Sequence, residues 1–251
     1  MLAPVVVVVP ASFSASKYPE FPPRDYSFRW YDEFFSSELW QASLKRSVLV
    51  ACMASVVATL LGLGVAEYLR RASGRSARSV RGLVTVPLIM PVIVLALGLY
   101  DLYSRLHLLG SSLGLAVAHA MLGLPFATLI LSAAFSRFDS TLEKAAWTLG
   151  ASRLRTYVTV TLPLIRPALL ASLISCFVVS FDEVVLSLFL VGSTTQTLPV
   201  RMFSFLKTEV TPVLGAISTL LIATFVVGWL LVLLLQRVLR SRRRPSVGRG
   251  A

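Results

Sequence analysis

The 251-residue chain has few charged residues, little cysteine or histidine, and no glycine-rich phosphate loop. Only 14% of its residues are charged, whereas a soluble domain of ordinary composition has about 25%. Its two cysteines, Cys52 and Cys176, lie in apolar runs and match no metal-binding spacing. No GxxxxGK[ST] stretch, HExxH pair or Ser/His/Asp constellation occurs. These absences argue against a soluble domain, a metal site and an enzyme.

Long apolar segments are what the chain has in abundance. Hydrophobic residues make up 56% of it, and the mean hydropathy is +0.78. Several runs reach the roughly 20 apolar residues that cross a bilayer. We therefore predict an all-α polytopic membrane protein with about six helices. The long segments are residues 47–69, 83–103, 113–135, 169–191 and 213–235.

The first apolar segment, residues 2–13, is too short to span a bilayer unaided. We interpret it as a shortened first helix, with a shallow membrane segment as the alternative. Residues 14–41 follow as an aromatic-rich stretch. Four of its apolar residues recur at helical spacing: Phe28, Tyr31, Phe35 and Leu39. We expect an interfacial helix on the periplasmic side with its rings at headgroup level, the alternative being an irregular external loop.

Small residues and prolines indicate that the predicted spans pack as a bundle. Residues 47–69 carry five small residues suited to close helix contact: Ala51, Ala54, Ala58, Gly62 and Gly64. Pro87 and Pro91 interrupt the third segment, and Pro125 lies within the fourth. Neighbouring helices must satisfy the carbonyls that these prolines free. His119, isolated in the fourth segment, is expected to be a satisfied packing residue.

The formal charge of +12 reflects membrane topology rather than nucleic-acid binding. Two thirds of the 24 lysines and arginines fall in residues 70–81, residues 137–166 and the basic tail 237–251. Because lysine and arginine accumulate in cytoplasmic loops, we predict that both termini and the loop 137–163 are cytoplasmic.

The stretch "EKAAWTLGASRLRTYVTVTLPLIRPAL" separates the fourth and fifth spans. Asp139 or Ser140 can cap a first short helix that ends at Gly150. A second helix is predicted to start at Ser152 and to stop before Pro163. An apolar side is expected from Leu149, Leu154, Tyr157, Val158 and Leu162. Such a helix-turn-helix knob fits a docking device, and an ordinary amphipathic loop is the alternative.

In this stretch Gly150 is followed after nine residues by Val160, and then by Leu162-Pro163. This pattern resembles the EAA loop of ABC-importer permeases. The pieces "SFDEVVLSLFL" and "TLPVRMFSFLKTEV" resemble permeases of spermidine/putrescine importers of the C-subunit type. The resemblance implies a type I ABC-importer transmembrane domain, with residues 1–251 as one permease domain and 137–163 as its coupling loop.

The resemblance also implies partners. A homologous permease, two ATPase subunits and a periplasmic binding protein would assemble with this chain in the bacterial inner membrane, without nucleic acid. ATP and Mg would be bound by the ATPase, so no cofactor is expected in this chain. The implied ATPase-coupling residues are Glu143, Lys144, Ala145, Ala146, Gly150, Ala151, Leu162 and Pro163.

Lys144 departs from the family pattern, because a glutamate usually stands six residues before the glycine. Glu143 lies one residue earlier, which is about 100° around a helix. The two side chains therefore cannot occupy the same face, and Lys144 could pair with an acidic residue of the ATPase instead.

Asp182 and Glu183 are carboxylates within the predicted fifth span. An unpaired carboxylate at the bilayer centre costs about 3 kcal/mol on insertion scales, which suggests a water-filled path or a cationic ligand. The alternative is a structural pair with Arg105 or Lys207, whereas Asp101 and Glu67 are expected to pair with nearby arginines on their own helices.

Aromatic rings at Tyr100 and Phe181 could hold an ammonium group by cation–π contact, or could simply pack. We expect import of a polyamine. The alternatives are another small solute, such as an opine, amino acid derivative, phosphonate or thiamine, and an ATPase-independent channel or scaffold.

Overall fold

The computed structural model describes residues 3–18, 20–192, 195–208 and 211–241, and this part of the chain is predominantly helical. A π turn, Tyr157–Thr161, joins two of the helices. In chain order the helices are α1 (Ala3–Ala11), α2 (Arg29–Ser36), α3 (Glu38–Arg71), α4 (Gly74–Ile89), α5 (Val92–Arg105), α6 (Ser112–Ser136), α7 (Thr141–Thr148), α8 (Arg153–Thr156), α9 (Leu162–Phe181), α10 (Val185–Leu190), α11 (Leu198–Thr208) and α12 (Val213–Ser241).

Three described helices are long and apolar enough to cross a membrane. They are α3, α6 and the continuous helix Arg153–Phe181, which contains α8, the π turn and α9. The bent pair of α4 and α5 makes a fourth if it counts as one span, and residues Val213–Gly228 of α12 form a shorter apolar stretch. The predicted segments 47–69 and 113–135 are thus confirmed as helices.

The third predicted segment is broken by one of its two prolines. α4 and α5 meet at an angle of 102°. Pro91 lacks an N–H and disfavours helical geometry at Met90, whose ψ is 133°. Pro87, in contrast, lies inside α4.

The helix after Gly150 does not stop before Pro163, so that prediction was wrong. The chain remains helical from Arg153 to Phe181. The Leu162 N–H bonds the Tyr157 carbonyl, five residues back. This π turn starts a new hydrogen-bond register in which Pro163 occupies the first turn of α9, where a missing N–H costs little.

The predicted fifth segment, residues 169–191, is not a single helix either. α9 ends at Phe181, and α10 begins at Val185. Asp182 and Glu183 therefore lie at a break between two helices. The side-chain contact that stabilises the start of α10 is described below.

Small residues bring α3 and α6 into close contact, as predicted. Ala54 and Ala58 are fully buried. A Cβ at Gly62 would lie 2.5 Å from the Ala127 Cβ. Gly64 faces open space, and a Cβ placed there would meet no atom within 4 Å beyond its own stretch of helix. The contact surface is therefore confirmed for the first of the two glycines only.

The described residues of 1–41 and 204–251 form one compact unit, and residues 42–203 form another. In the first unit the segment 2–13 contains the short helix α1, which packs on α12; whether it is a shortened span or a shallow membrane segment stays a prediction. The aromatic segment is irregular until Arg29 and then forms α2, so the predicted helix is confirmed over part of its length. The Trp30 indole N–H donates to the Ser14 carbonyl at 2.8 Å.

The predicted aromatic face is found only in part, because Tyr31 is partly buried and hydrogen-bonds Ser12 at 2.7 Å, and the four residues do not lie on one helix. Phe28, Phe35 and Leu39 are exposed, whereas Trp30 and Phe34 are buried. Its position at the headgroup level remains a prediction, and the basic tail beyond Ser241 lies outside the described residues.

Substitution of the packed glycine should destabilise the bundle. Gly62→Ala inserts a methyl group against Ala127, and overpacking of this kind costs about 1–3 kcal/mol. Gly64→Ala is the matched control, because its methyl group enters open space and alanine favours a helix by about 0.5–1 kcal/mol. Thermal unfolding of the detergent-solubilised chain should show a lower Tm for Gly62→Ala alone. Equal shifts in both variants would contradict the packing argument.

Candidate functional site

The loop between α6 and α9 is a helix-turn-helix with well-defined ends. The Asp139 Oδ1 accepts the Thr141 N–H at 2.9 Å and so caps α7. This bond from Thr141 lowers the pKa of the exposed Asp139 carboxyl. At the other boundary the Ser152 Oγ accepts the Arg155 N–H and caps α8. Of the two predicted capping residues for α7, Asp139 therefore provides the bond.

Gly150 makes the sharp turn between α7 and α8. Its φ is +85°, a conformation that other L-residues rarely adopt. The Gly150 N–H bonds the Trp147 carbonyl, and the Ala151 N–H bonds the Ala146 carbonyl, both at 3.0 Å. This pair of bonds is a Schellman motif. The glycine singled out from the sequence is thus required by backbone geometry.

One face of the loop exposes large apolar side chains. Leu149 is 88% exposed, Leu154 is 75% exposed and Val158 is 52% exposed. Tyr157 and Leu162, predicted on the same side, are partly buried. Exposed cations lie along the same loop, at Lys144, Arg153 and Arg155. Charged neighbours are costly in the lipid core, so this apolar patch is suited to a protein partner.

Glu143 points away from that exposed surface. It is only 5% exposed. Its two carboxylate oxygens each accept a hydrogen bond from Arg70 at 3.1 Å, and Thr161 donates a third bond at 2.7 Å. Burial alone would raise the pKa of Glu143, but the bonds from Arg70 and Thr161 outweigh it and lower the pKa. The stabilisation is present above the ordinary glutamate pKa and is lost as the pH falls through the lowered one.

Arg70 holds further partners at the end of α3. It forms a salt bridge with Glu67 at 2.7 Å, and Glu67 also pairs with Arg71. The Arg70 guanidinium lies 5.1 Å from the Phe135 ring centroid and 5.4 Å from that of Phe138. The predicted pairing of Glu67 with both arginines is confirmed. The Arg70–Glu143 contact spans 73 positions, and no local pattern could have revealed it.

The other residues that the family resemblance assigns to ATPase coupling differ in their exposure to solvent. Lys144 and Ala145 are exposed, and Ala146, Ala151, Leu162 and Pro163 are partly buried. As the helical rotation predicted, Glu143 and Lys144 occupy different faces of α7. The role of these residues in coupling stays a prediction.

Glu183 stabilises the break between α9 and α10. Its carboxylate accepts the N–H groups of Leu186 and Ser187, at 2.9 and 3.0 Å. A carboxylate at the start of α10 accepts hydrogen bonds from its free amides and is stabilised by the positive end of the helix dipole. This capping by Glu183 was missed in the sequence, where glutamate is not a typical N-cap residue.

His119 completes this buried polar cluster. Its Nδ1 lies 2.8 Å from the Ser180 Oγ, and its Nε2 lies 2.9 Å from the Ser187 Oγ. The Nε2 is also 3.7 Å from the Glu183 Oε2. Both ring nitrogens have partners, which confirms the prediction of a satisfied packing histidine.

The other predicted substrate residues lie in different environments. Asp182 is exposed, and the Tyr100 ring is 47% exposed. Phe181 is buried and stacks on Phe177 with 5.7 Å between ring centroids. Arg105 pairs with Asp101 at 3.0 Å, as predicted for two residues one turn apart. Whether Asp182, Glu183, Tyr100 and Phe181 contact a substrate remains a prediction.

The chain is similar in sequence to membrane components of known transport systems. The family model described as "Binding-protein-dependent transport system inner membrane component" matches residues 58–245. The spermidine/putrescine transport system permease protein PotC of Haemophilus influenzae is 33% identical over 95% of this chain and 91% of its own length. The putrescine permease PotI of Escherichia coli is 29% identical over 97% of this chain and 89% of its own.

A solved structure shows the same fold at lower sequence identity. It is a bacterial ABC transporter that imports the acidic polysaccharide alginate. The TM-score is 0.71 at 18% identity, covering 92% of this chain and 89% of the other.

Removal of the Glu183 carboxylate should loosen α10. Glu183→Ala leaves two backbone amides without their acceptor, and loss of a helix cap costs about 0.5–2 kcal/mol. Asp182→Asn is the matched control, since its exposed side chain should change stability by less than about 0.5 kcal/mol. Faster amide hydrogen exchange in residues 185–190 of Glu183→Ala, with Asp182→Asn like the wild type, is the expected result. Unchanged exchange in both would exclude the capping role.

Proposed function

This chain belongs to the family of binding-protein-dependent transport system inner membrane components, and we propose that it forms half of the translocation path of an ATP-driven polyamine importer. Its fold is that of a type I ABC-importer transmembrane domain. It is a multi-pass inner-membrane transport subunit and not itself an enzyme. ATP hydrolysis is assigned to a separate ATPase, which would bind ATP and Mg.

The exposed face of the coupling loop is the observation that carries the proposal. Leu149, Leu154 and Val158 present an apolar surface that is not covered by the described part of this chain. A cleft of the ATPase that receives these side chains would remove them from water. Closure of an ATPase dimer could then move the loop, and the loop would move the spans between inward-facing and outward-facing states.

Charge around the loop suggests how the ATPase surface is built. Lys144, Arg153 and Arg155 are exposed beside the apolar face. An apolar cleft with acidic residues at its rim would complement them. Lys144 would then contact the ATPase with a positive charge, at the position where the family has a negatively charged glutamate.

The remaining subunits follow from the family. A homologous permease would supply the other half of the path, two ATPase subunits would bind the coupling loops, and a periplasmic binding protein would deliver the solute. The distribution of lysine and arginine supports a cytoplasmic location for both termini and the loop.

Polyamine is the substrate class that the relatives and the exposed carboxylate both favour. The named relatives transport spermidine or putrescine. Asp182 lies exposed at the break between α9 and α10, where it can pair with an ammonium group. The Glu183 carboxylate is already bonded to α10 amides, which makes Asp182 the better ligand. The aromatic rings of Tyr100 and Phe181 would line the path. A carboxylate also disfavours phosphonates, one of the alternative solutes.

A charge placed on the apolar face should prevent ATPase binding. Leu154→Asp introduces an uncompensated carboxylate at the proposed interface, so we expect the amount of co-purified ATPase to fall at least tenfold. Leu206→Asp is the control, because Leu206 is a similarly exposed leucine of α11 outside the loop. Normal ATPase capture by Leu154→Asp would contradict the assigned interface, whereas no capture by the wild type would favour the ATPase-independent channel or scaffold.

Loss of the Asp182 charge should weaken polyamine transport. Asp182→Asn removes the proposed ammonium partner, and we expect the KM for radiolabelled putrescine uptake to rise about tenfold, equivalent to about 1.4 kcal/mol. Asp101→Asn is the control, since Asp101 is an exposed carboxylate already paired with Arg105. An unchanged KM in Asp182→Asn would remove this residue from the path, and uptake of another solute class by the wild type would contradict the polyamine assignment.

A further inference from the structure

The only acidic residue of α7, Glu143, is directed into the protein rather than toward the proposed ATPase surface. It is 5% exposed, whereas its neighbour Lys144 is exposed. A residue buried to this degree cannot contact a docked partner without leaving its present bonds. Glu143 therefore acts through the contacts that it makes within the chain.

Those contacts join three separate elements. Glu143 belongs to α7, Arg70 ends α3, and Thr161 lies in the π turn that leads into α9. Both carboxylate oxygens accept bonds from the two terminal nitrogens of the Arg70 guanidinium, at 3.1 Å each. Such a two-point contact fixes orientation as well as distance. The Thr161 hydroxyl adds a bond of 2.7 Å to the oxygen Oε1.

Arg70 is itself held from several sides. Glu67 accepts two hydrogen bonds from it, at 2.7 and 3.0 Å. The rings of Phe135 and Phe138, at and just beyond the end of α6, lie within 5.4 Å of its guanidinium. The side chain of Arg70 is only 16% exposed, which limits screening of these charges by water.

The π turn places Thr161 within reach of Glu143. Thr161 is fully buried, and the π turn ends two residues before Pro163. π turns of this kind are often found at functional sites of helices. The loop's proline and its buried threonine thus belong to the same local structure.

We propose that Arg70 is a positioning residue for energy coupling: with Glu143 and Thr161 it forms a strut that makes α7 move as one body with the ends of α3 and α9. This inference rests on the proposed function, because it assumes that an ATPase moves α7. Through this strut, a displacement of the loop would move α3 and α9 directly. Docking depends on the opposite, exposed face of the loop, so binding of the ATPase and transmission of its motion use different residues.

Neighbouring arginines provide a matched test. Arg71 follows Arg70 in the sequence, but its side chain is 52% exposed and pairs with Glu67. The complete importer would be purified with Arg70→Gln, Glu143→Gln or Arg71→Gln in this chain. The measured quantity is the factor by which a putrescine-loaded cognate binding protein stimulates ATP hydrolysis. A residue that only supports folding would lower stimulated and unstimulated hydrolysis in parallel and leave this factor unchanged.

We expect the stimulation factor to fall at least fivefold in Arg70→Gln and in Glu143→Gln, with ATPase still co-purifying. Arg71→Gln should stay within twofold of the wild type. The double variant Arg70→Gln/Glu143→Gln should lose no more than the more damaged single variant, because both changes remove the same contact. Equal factors in Arg70→Gln and Arg71→Gln would overturn the inference.

A neutral variant keeps the test valid if the charge changes prevent assembly. Thr161→Val removes one hydrogen bond without leaving a buried charge unpaired, and it should lower the stimulation factor at least twofold. Thr161→Ser restores the hydroxyl and should restore the factor. A wild-type factor in Thr161→Val would contradict the strut.

The two proposals fail in different ways. Absence of co-purified ATPase, or of any stimulation in the wild type, would contradict the proposed function and the inference with it. A wild type that is stimulated normally, together with normal Arg70 and Thr161 variants, would contradict the strut alone.

Discussion

Each interruption of a helix frees peptide groups that need new hydrogen-bond partners within the protein wherever water is absent, and the hydrocarbon core of a bilayer supplies none. The break after Phe181 is satisfied by the Glu183 carboxylate, which accepts two amides of α10. The turn at Gly150 bonds its amides to α7 carbonyls. The π turn before Pro163 shifts the hydrogen-bond register instead of ending the helix. Each break is therefore stabilised by defined contacts. The break after Phe181 adjoins Asp182, the proposed substrate ligand, and the turn at Gly150 adjoins Leu149 of the proposed ATPase interface.

The loop between α6 and α9 combines two surfaces with opposite physical properties. Leu149 and Leu154 are exposed on one face. On the other, Glu143 is buried in contact with Arg70 and Thr161. An exposed apolar face gains free energy when a partner covers it, whereas a buried ion pair holds its geometry because separation would leave a charge without a partner in an apolar environment. The proposed function needs both properties: an exposed face that binds the ATPase, and a buried contact that keeps its geometry when the loop is displaced.

Lys144, which departs from the family pattern, and its neighbour Glu143 point in different directions. A one-residue offset between Glu143 and the family's glutamate position directs the carboxylate inward and Lys144 outward. The inward carboxylate meets an arginine contributed by α3. The outward lysine is available to an acidic partner. The departure from the family pattern thus concerns the docking face, and the internal contact of the loop is independent of it.

Local physical chemistry in the sequence determined the helical membrane class, the spans 47–69 and 113–135, the small-residue surface that includes Gly62, and the glycine turn at Gly150. Each depends on residues near one another in the chain: apolar run length, side-chain size, or a φ of +85°. Contacts between distant residues were decided by the tertiary structure. Arg70 contacts Glu143 across 73 positions, and His119 contacts Ser187 across 68. The buried Glu143 carboxylate is paired only because the fold brings Arg70 and Thr161 to it. The proline rule failed at Pro163 for a related reason: a π turn can absorb a missing N–H, and no local pattern showed that Thr161 would be held there by a carboxylate from another helix.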